Sequence, residues 1–258
     1  MKSKKILKTA TYISPDGKPY VVEMMSGFVP KVTLVSHTQS PTHLMAQIAN
    51  GYNGIYESHI LPEDVPQLIE DIKNTALRTP MEMVQLTWLI QDVTRAFTHQ
   101  AVRYRVGASY VQESMRFWGE RERYGFFAPP TIVRDEDALM EYWKSCLAGI
   151  LGYVKMRELG IPDQDCRGSL PTNILTQMFM TVTLSTQAHL INTRWCCQAQ
   201  QSEWMPVMLQ MRKQLHEVGL DQFMNPPIEA GKPCGFNASF DRPCFWKDRT
   251  LQEIEEGL

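Results

Sequence analysis

"TRAFTHQAVRYRVGASYVQESMRF" (Thr94–Phe117) is the stretch on which the reading of this 258-residue chain turns. Its first half has helical spacing. Val93, Ala96, Phe97 and Ala101 share one apolar face, while Arg95, His99 and Arg103 recur at i, i+4 and i+8 on another. Its second half sets Arg103 and Arg105 around a tyrosine, and Ser114 and Arg116 around a methionine. Arginine carries a planar fork of donors that matches phosphate or carboxylate. On an extended segment Ser114 and Arg116, two apart, point to one side and pair a hydroxyl with a guanidinium. Gly107 lets the chain turn between the arginine pair and the Ser-x-Arg. The competing reading is a solvated basic helix end, favoured at Arg103 and Arg105 by the helix dipole, followed by a loop.

Upstream, "MEMVQLTWLIQ" (Met81–Gln91) is rich in β-formers and reads as a core strand, followed by a helix over 92–105. Residues 6–35 alternate polar and apolar around a turn at "SPDGKP", which predicts a hairpin or short meander, and "KVTLVSH" reads as a further strand. Ser40 as N-cap and Pro41 at the first helical position open a helix that Asn50-Gly51 ends. "LPEDVPQLIEDIKNTAL" reads as a second amphipathic helix. Downstream, a helix begins near Asp135 and stops at Gly160-Ile-Pro, and a second helical region, broken once or twice, runs from about Pro171 to Leu220. The Pro-, Gly- and aromatic-rich tail reads as irregular and packed on the body.

Composition narrows the classes. At 43% hydrophobic and 21% charged residues the chain has the make-up of one folded domain with a sizeable core. A net charge of −2 argues against a general nucleic-acid coat, and no apolar run approaches the roughly 20 residues of a membrane helix. The basic start lacks a long apolar core and a cleavage pattern, so the expected location is cytoplasmic, with no nucleic-acid or membrane partner. The six cysteines (Cys146, Cys166, Cys196, Cys197, Cys234 and Cys244) form no C-x-x-C pair, so reduced thiols and no metal site are expected.

The central stretch resembles that of the flavin-dependent thymidylate synthases. In that family a Ser-Arg-Ala-x-Thr-His-Gln run leads into Arg-His-Arg and then, seven residues later, Ser-x-Arg-Tyr. Here the order is Thr94-Arg95-Ala96, Thr98-His99-Gln100, Arg103-Tyr104-Arg105 and Ser114-Met115-Arg116-Phe117. "RTPMEM" (Arg78–Met83) is similar to the family's His-x-Ser/Thr-x-x-Glu-His segment through Thr79 and Glu82. "CRGSLP" matches Arg-x-x-Leu-Pro through Arg167, Leu170 and Pro171, and "TRWCCQAQQSEW" resembles the Ala-Gln element through Arg194, Ala199 and Gln200. The matches cover roughly residues 31–215 in the family's order. The N-terminal hairpin (1–30) and the tail (221–258) fall outside them, as additions to one catalytic domain.

The resemblance implies an α/β fold of α+β type, an antiparallel or mixed sheet flanked by long helices, and a homotetramer with active sites between subunits. It implies methylation of dUMP to dTMP with FAD, NADPH and methylenetetrahydrofolate, and no cysteine nucleophile; Pro243-Cys244-Phe245 also lacks the His of the unrelated cysteine-dependent enzymes. By motif position, Thr79, Arg103, Tyr104, Arg105, Ser109 and His189 would touch FAD. Gln100, Gln112, Glu113, Ser114, Arg116, Arg167 and Arg194 would hold dUMP, with Ser114 and Arg194 also taking part in the chemistry. His99 would either orient its neighbours or be a satisfied buried histidine, and the second is the expectation.

The sequence also departs from the family. Tyr104 replaces the middle His of Arg-His-Arg and cannot be a cation near neutral pH. Arg105 and Ser114 are separated by eight residues, and Gly107 is expected to absorb the extra one in a bulge. Leu77 and Met83 replace histidines, and Thr183 and Ser185 stand where an Asn and an Arg often contact FAD. The nucleotide side is thus better kept than the flavin and folate side. Two alternatives follow: a flavin-dependent hydroxymethylation of a deoxypyrimidine nucleotide, and a nucleotide-binding protein without catalysis.

Overall fold

The computed structural model describes residues 5–27, 29–56, 60–75, 78–119, 121–194 and 201–224. Strands β1 (Lys5–Ile13) and β2 (Pro19–Ser26) form the expected hairpin, and β3 (Lys31–His37) follows. Helices α1 (Pro41–Tyr52) and α2 (Val65–Asn74) come next, then a 3₁₀ turn (Thr79–Glu82), β4 (Gln85–Thr94), α3 (Arg95–Ala101) and β5 (Ala108–Gln112). A second 3₁₀ turn (Met115–Phe117) leads to β6 (Arg123–Phe127), α4 (Pro130–Val133), α5 (Glu136–Glu158) and α6 (Asp163–Cys166). The described chain closes with β7 (Leu175–Thr183), α7 (Leu184–Arg194) and α8 (Gln201–Glu217).

The mixed α/β fold is as expected. The strands form two sheets, one of order β1-β2-β6 and an antiparallel one of order β3-β4-β7-β5. β2 and β6 run parallel, and a bridge between Phe126 and Ile174 joins the two sheets. The smaller sheet lays Val22, Met24, Tyr124 and Phe126 against Ile150, Tyr153 and Val154 of α5. That long helix starts where Asp135 caps it, its carboxylate accepting from Ala138 N at 2.9 Å, and stops at Gly160, whose φ of +82° suits glycine.

The larger sheet shows why the site sits where it does. Even-numbered residues of β4 (Leu86, Trp88, Ile90) and β7 (Met178, Met180, Val182) are all buried, and they pack on Trp204, Met208, Met211 and Leu215 of α8. Each such side chain stabilises the fold by about 1.5–3 kcal/mol. β3 is one of the sheet's two edge strands, and α8 completes it with side chains. Gln210 accepts from Val32 N (3.1 Å) and donates to the Pro30 carbonyl (2.7 Å); one turn on, Gln214 accepts from Leu34 N (2.7 Å) and donates to the Val32 carbonyl (2.9 Å). Two amides stand in for a neighbouring strand and close an edge that would otherwise template association.

Several boundaries differ from the sequence expectation. The strand expected over 81–91 is β4, which starts at Gln85 and runs to Thr94; Pro80 and Met81 belong to the preceding 3₁₀ turn. A bulge between Ile90 and Val93, with Asp92 at φ +57°, breaks the alternation so that Val93 and Thr94 are both buried. The helix expected over 92–105 is therefore only Arg95–Ala101. The helix opened by Pro41 continues to Tyr52, two residues past Asn50; Ser40 precedes it at φ +47° and makes no side-chain capping bond. The helical region expected from Pro171 is interrupted by β7, a central strand. Its "LTQMFMTVT" is methionine-rich but of period two, with Thr176, Met178, Met180 and Val182 inward. The tail from 225, with Cys234 and Cys244, lies outside the described residues, as do Leu77, Cys196, Cys197, Ala199 and Gln200.

Candidate active site

The β4 bulge delivers the chain into α3, and α3 organises the site. Thr94 caps the helix, its hydroxyl accepting from Phe97 N at 3.1 Å, and Phe97, Thr98 and Ala101 turn inward. Behind this cap is a residue the motif reading passed over. Glu203 of α8 is 1% exposed and accepts from the Thr94 hydroxyl (2.7 and 2.8 Å) and from Thr94 N (3.2 Å). Burial outweighs those donors and pushes its carboxyl up to about 7.

At the start of α3 the half-buried Arg95 donates to the Glu113 carbonyl at 3.3 Å. Burial first, and then the charge of Arg167, depress its basicity, with Glu113 acting in the opposite sense. The Glu113 carboxylate also pairs with Arg121 (3.2 Å) and accepts from the Thr176 hydroxyl (3.0 Å). Gln112 joins through a short hydrogen bond from Nε2 to the Thr98 hydroxyl. Ser114 Oγ accepts from Arg116 N (3.4 Å) and Nε (3.5 Å). The expected extended Ser-x-Arg is a 3₁₀ turn instead, because Met115 is drawn into the core; the turn still brings hydroxyl and guanidinium together. Arg116 and Arg167 are exposed, so this end gathers Arg95, Gln112, Ser114, Arg116 and Arg167 on a surface suited to an anion.

The other end of α3 meets α7 and α8. The Tyr104 hydroxyl shares a 3.1 Å hydrogen bond with Thr193, and its ring lies 5.8 Å from that of the exposed His189. The Arg194 guanidinium sits 5.0 Å from the Tyr104 ring and 4.6 Å from that of Trp204, and its buried Nε has no hydrogen-bond partner among the described residues. The indole Nε1 of Trp204 donates to Gln100 Oε1 at 2.9 Å. Tyr110 donates its hydroxyl to the Tyr104 carbonyl at 2.7 Å; burial, then the nearby Tyr104, push that phenol up to about 12 against the pull of Arg105. His99 corrects the expectation of a buried histidine: it is exposed, because α3 turns Phe97, Thr98 and Ala101 inward instead.

Arg103 and Arg105 are exposed and have no carboxylate partner among the described residues. The loop that carries them is fixed at Gly107. There φ is +61°, and a Cβ would lie 2.6 Å from Thr186 Oγ1 and 2.8 Å from Thr183 Oγ1. Thr183 N donates to the Gly107 carbonyl (2.9 Å), and the Thr186 hydroxyl to that of Val106 (2.8 Å). Thr183 therefore braces this loop, and the residue expected to form a bulge is a left-handed turn ahead of β5. Ser109 lies on the opposite face of β5 from Tyr110, on the uncovered side of the larger sheet. Exposed Thr79, on the 3₁₀ turn packed against α7, lines with Ala49, Leu68 and Ile72 a cavity of about 320 Å³ apart from both clusters. Arg95 and Trp204 were missed by sequence reasoning. Arg95 was visible as the arginine of the Thr-Arg-Ala run, whereas Trp204 meets Gln100 across 104 positions.

Among the described residues, no group of His, Cys, Asp and Glu is placed to hold a metal ion, and no helix is long and apolar enough to cross a membrane. The two described cysteines, Cys146 and Cys166, lie in the small-sheet core, where burial pushes both thiols up.

Fold and site together define a mixed α/β protein with an arginine-rich cluster around α3. Comparison with known proteins narrows this. A family model described as thymidylate synthase complementing protein matches residues 33–219. The chain is 30% identical over 210 residues to a flavin-dependent thymidylate synthase of Pyrococcus horikoshii, covering 78% of this chain and 84% of that one. It is 26% identical over 226 residues to that of Geobacter sulfurreducens, covering 82% and 97%. A crystal structure of the UMP/dUMP methylase PolB from Streptomyces cacaoi, bound with 5-Br dUMP, shares the fold with a TM-score of 0.63 at 14% identity, covering 77% of this chain and 95% of that one. The chain belongs to the flavin-dependent thymidylate synthase family.

Proposed function

We propose that this protein methylates dUMP to dTMP reductively, with FAD as cofactor, methylenetetrahydrofolate as carbon donor and NADPH as reductant. The observation that carries the reading is the anion-binding end of α3. Arg95 feels the charge of Arg167, its neighbour Glu113 is already engaged with Arg121, and Ser114, Arg116 and Gln112 lie beside it. A nucleotide phosphate would relieve that like-charge crowding. The names of the family's curated members and the 5-Br dUMP bound to the structural neighbour support the same ligand class.

In this reading Arg95, Arg116, Arg167 and Ser114 grip the phosphate, with Glu113 holding Arg95 and Arg121 in place. Gln100, Gln112 and Arg194 orient the pyrimidine. Two exposed guanidiniums with no carboxylate partner among the described residues, Arg103 and Arg105, fit the diphosphate of FAD, and Tyr104 and His189 offer flat surfaces beside it. The flavin, when bound, supplies the hydride. The protein's part is to bind, orient and exclude water, and with Tyr104 in place of a His it does so without a cation at that position. Ser109 and Thr79 lie away from this cluster, which supports a cofactor reaching across more than one subunit.

Self-association as a homotetramer is part of the proposal. Thr33, Leu89, Phe179 and Val111 line up across the larger sheet, opposite the face that α8 covers. Phe179 is 43% exposed and Val111 70%, an apolar row suited to a second copy of the chain. Light scattering should give four copies; a monomer would remove the shared-site reading.

The reading is tested by reducing the purified, FAD-loaded protein with NADPH without oxygen and adding dUMP with methylenetetrahydrofolate. The flavin should reoxidise only when both are present. Reoxidation independent of dUMP would refute it.

A further inference from the structure

Two of the guanidiniums in the phosphate reading, Arg116 and Arg167, sit on turns far apart in the chain, and both are exposed. Each turn has a buried anchor. Met115 and Cys166, the residues just before the two arginines, lie in the small-sheet core with Tyr153 of α5. The 3₁₀ turn Met115–Phe117 and α6 also pack directly on each other. Apolar burial is non-directional, so these anchors fix how deep each turn sits better than the angle at which it points.

The directional link comes from a residue that no motif covers. Arg157, in the last turn of α5, uses one guanidinium for both turns. Its Nε donates to Asp163 Oδ1 at 2.5 Å, on the first residue of α6 and four positions before Arg167. Its Nη2 makes a short hydrogen bond to the Gly119 carbonyl, three positions after Arg116. Glycine allows that approach, since a Cβ at 119 would lie 3.2 Å from Nη2 and 3.4 Å from Asp163 Oδ2. The Arg157 and Asp163 side chains are 18% and 17% exposed, so the pair is little screened by salt. A guanidinium is a rigid fork, and the directions of its two bonds are set by covalent geometry. Arg157 therefore fixes the end of one turn against the start of the other.

We infer that Arg157 is a positioning residue: it ties the Ser114–Arg116 turn to the turn that carries Arg167 and so sets the spacing of the two guanidiniums for the nucleotide phosphate. The inference rests on the reading of Arg116 and Arg167 as phosphate contacts. Arg157→Lys keeps the charge but replaces the fork by a single nitrogen, which does not reproduce both bonds. Affinity for dUMP, measured by calorimetry on the full-length flavin-loaded protein, should fall about tenfold, the scale of one loosened charge-assisted hydrogen bond. In an Arg116→Ala or an Arg167→Ala background the same substitution should cost less than about threefold, since one of the two braced groups is gone. A merely structural Arg157 would lower the melting temperature and cost the same affinity in all three backgrounds. That result, or no loss in Arg157→Lys alone, would overturn the inference, and a loss that shrinks in only one background would overturn the link between the turns. If the wild-type protein binds no dUMP, the phosphate reading fails first, before any variant is compared. Should Arg157→Lys not fold, Asp163→Asn supplies a second test, because it weakens only the arm to α6. Its loss of dUMP affinity should shrink in the Arg167→Ala background, and a loss that is absent or does not shrink there would overturn the inference.

Discussion

Replacing Glu203 by Gln should change how the stability of this protein depends on pH. Glu203 is 1% exposed and accepts from the hydroxyl and N–H of Thr94. Burial disfavours its charged form, so the carboxyl releases its proton at about 7 instead of 4.5. The folded chain therefore binds more protons than the unfolded chain between those values, and stability falls as pH rises through that window. The contribution is complete below about 4.5 and lost above about 7, which at 1.36 kcal/mol for each pH unit amounts to about 3 kcal/mol. A glutamine keeps an oxygen for Thr94 and carries no charge at any pH. Urea unfolding at fixed protein concentration, from pH 4 to pH 8, should show the variant gaining about 3 kcal/mol on the wild type across the range. Parallel pH profiles would refute the reasoning and mean that Glu203 is ionised in the fold.

Gly107→Ala should cost about 1–3 kcal/mol in a thermal melt, because φ is +61° and the new Cβ meets two threonine hydroxyls; a neutral result would contradict the tight turn. Gln210→Leu should lower stability by about 1–3 kcal/mol and promote aggregation, since Val32 N and the Pro30 carbonyl lose their partner on the edge strand. Arg103→Ala should deplete bound FAD in the visible absorbance spectrum, and normal flavin content would remove Arg103 from the cofactor. Arg116→Ala should weaken dUMP binding by about 2–3 kcal/mol in calorimetry, and unchanged affinity would refute its phosphate role.

What was legible in the sequence was local. The hairpin, β3, α1, α2 and α5 each carry their own alternation, proline start or glycine stop, and the Thr94–Phe117 stretch carried the family. What was not legible depended on partners far away. β7 reads as helix until β4 and β5 flank it, and then its period-two pattern decides. Val93 and Thr94 joined β4 because a bulge at Asp92, invisible to propensity, turned both inward. The Ser-x-Arg geometry survived a wrong local structure, since a 3₁₀ turn places Ser114 and Arg116 as close as a strand would. Glu203 and Trp204 escaped notice because their importance lies in contacts to Thr94 and Gln100, which no spacing along the chain encodes.

The most direct test of the central claim is a mass spectrum of the nucleotide after the protein meets dUMP, FAD, NADPH and methylenetetrahydrofolate without oxygen. The account predicts a gained methyl group. A gained hydroxymethyl group would move the protein to a related one-carbon chemistry. Unaltered dUMP, with binding intact, would contradict the catalytic account and leave a nucleotide-binding protein.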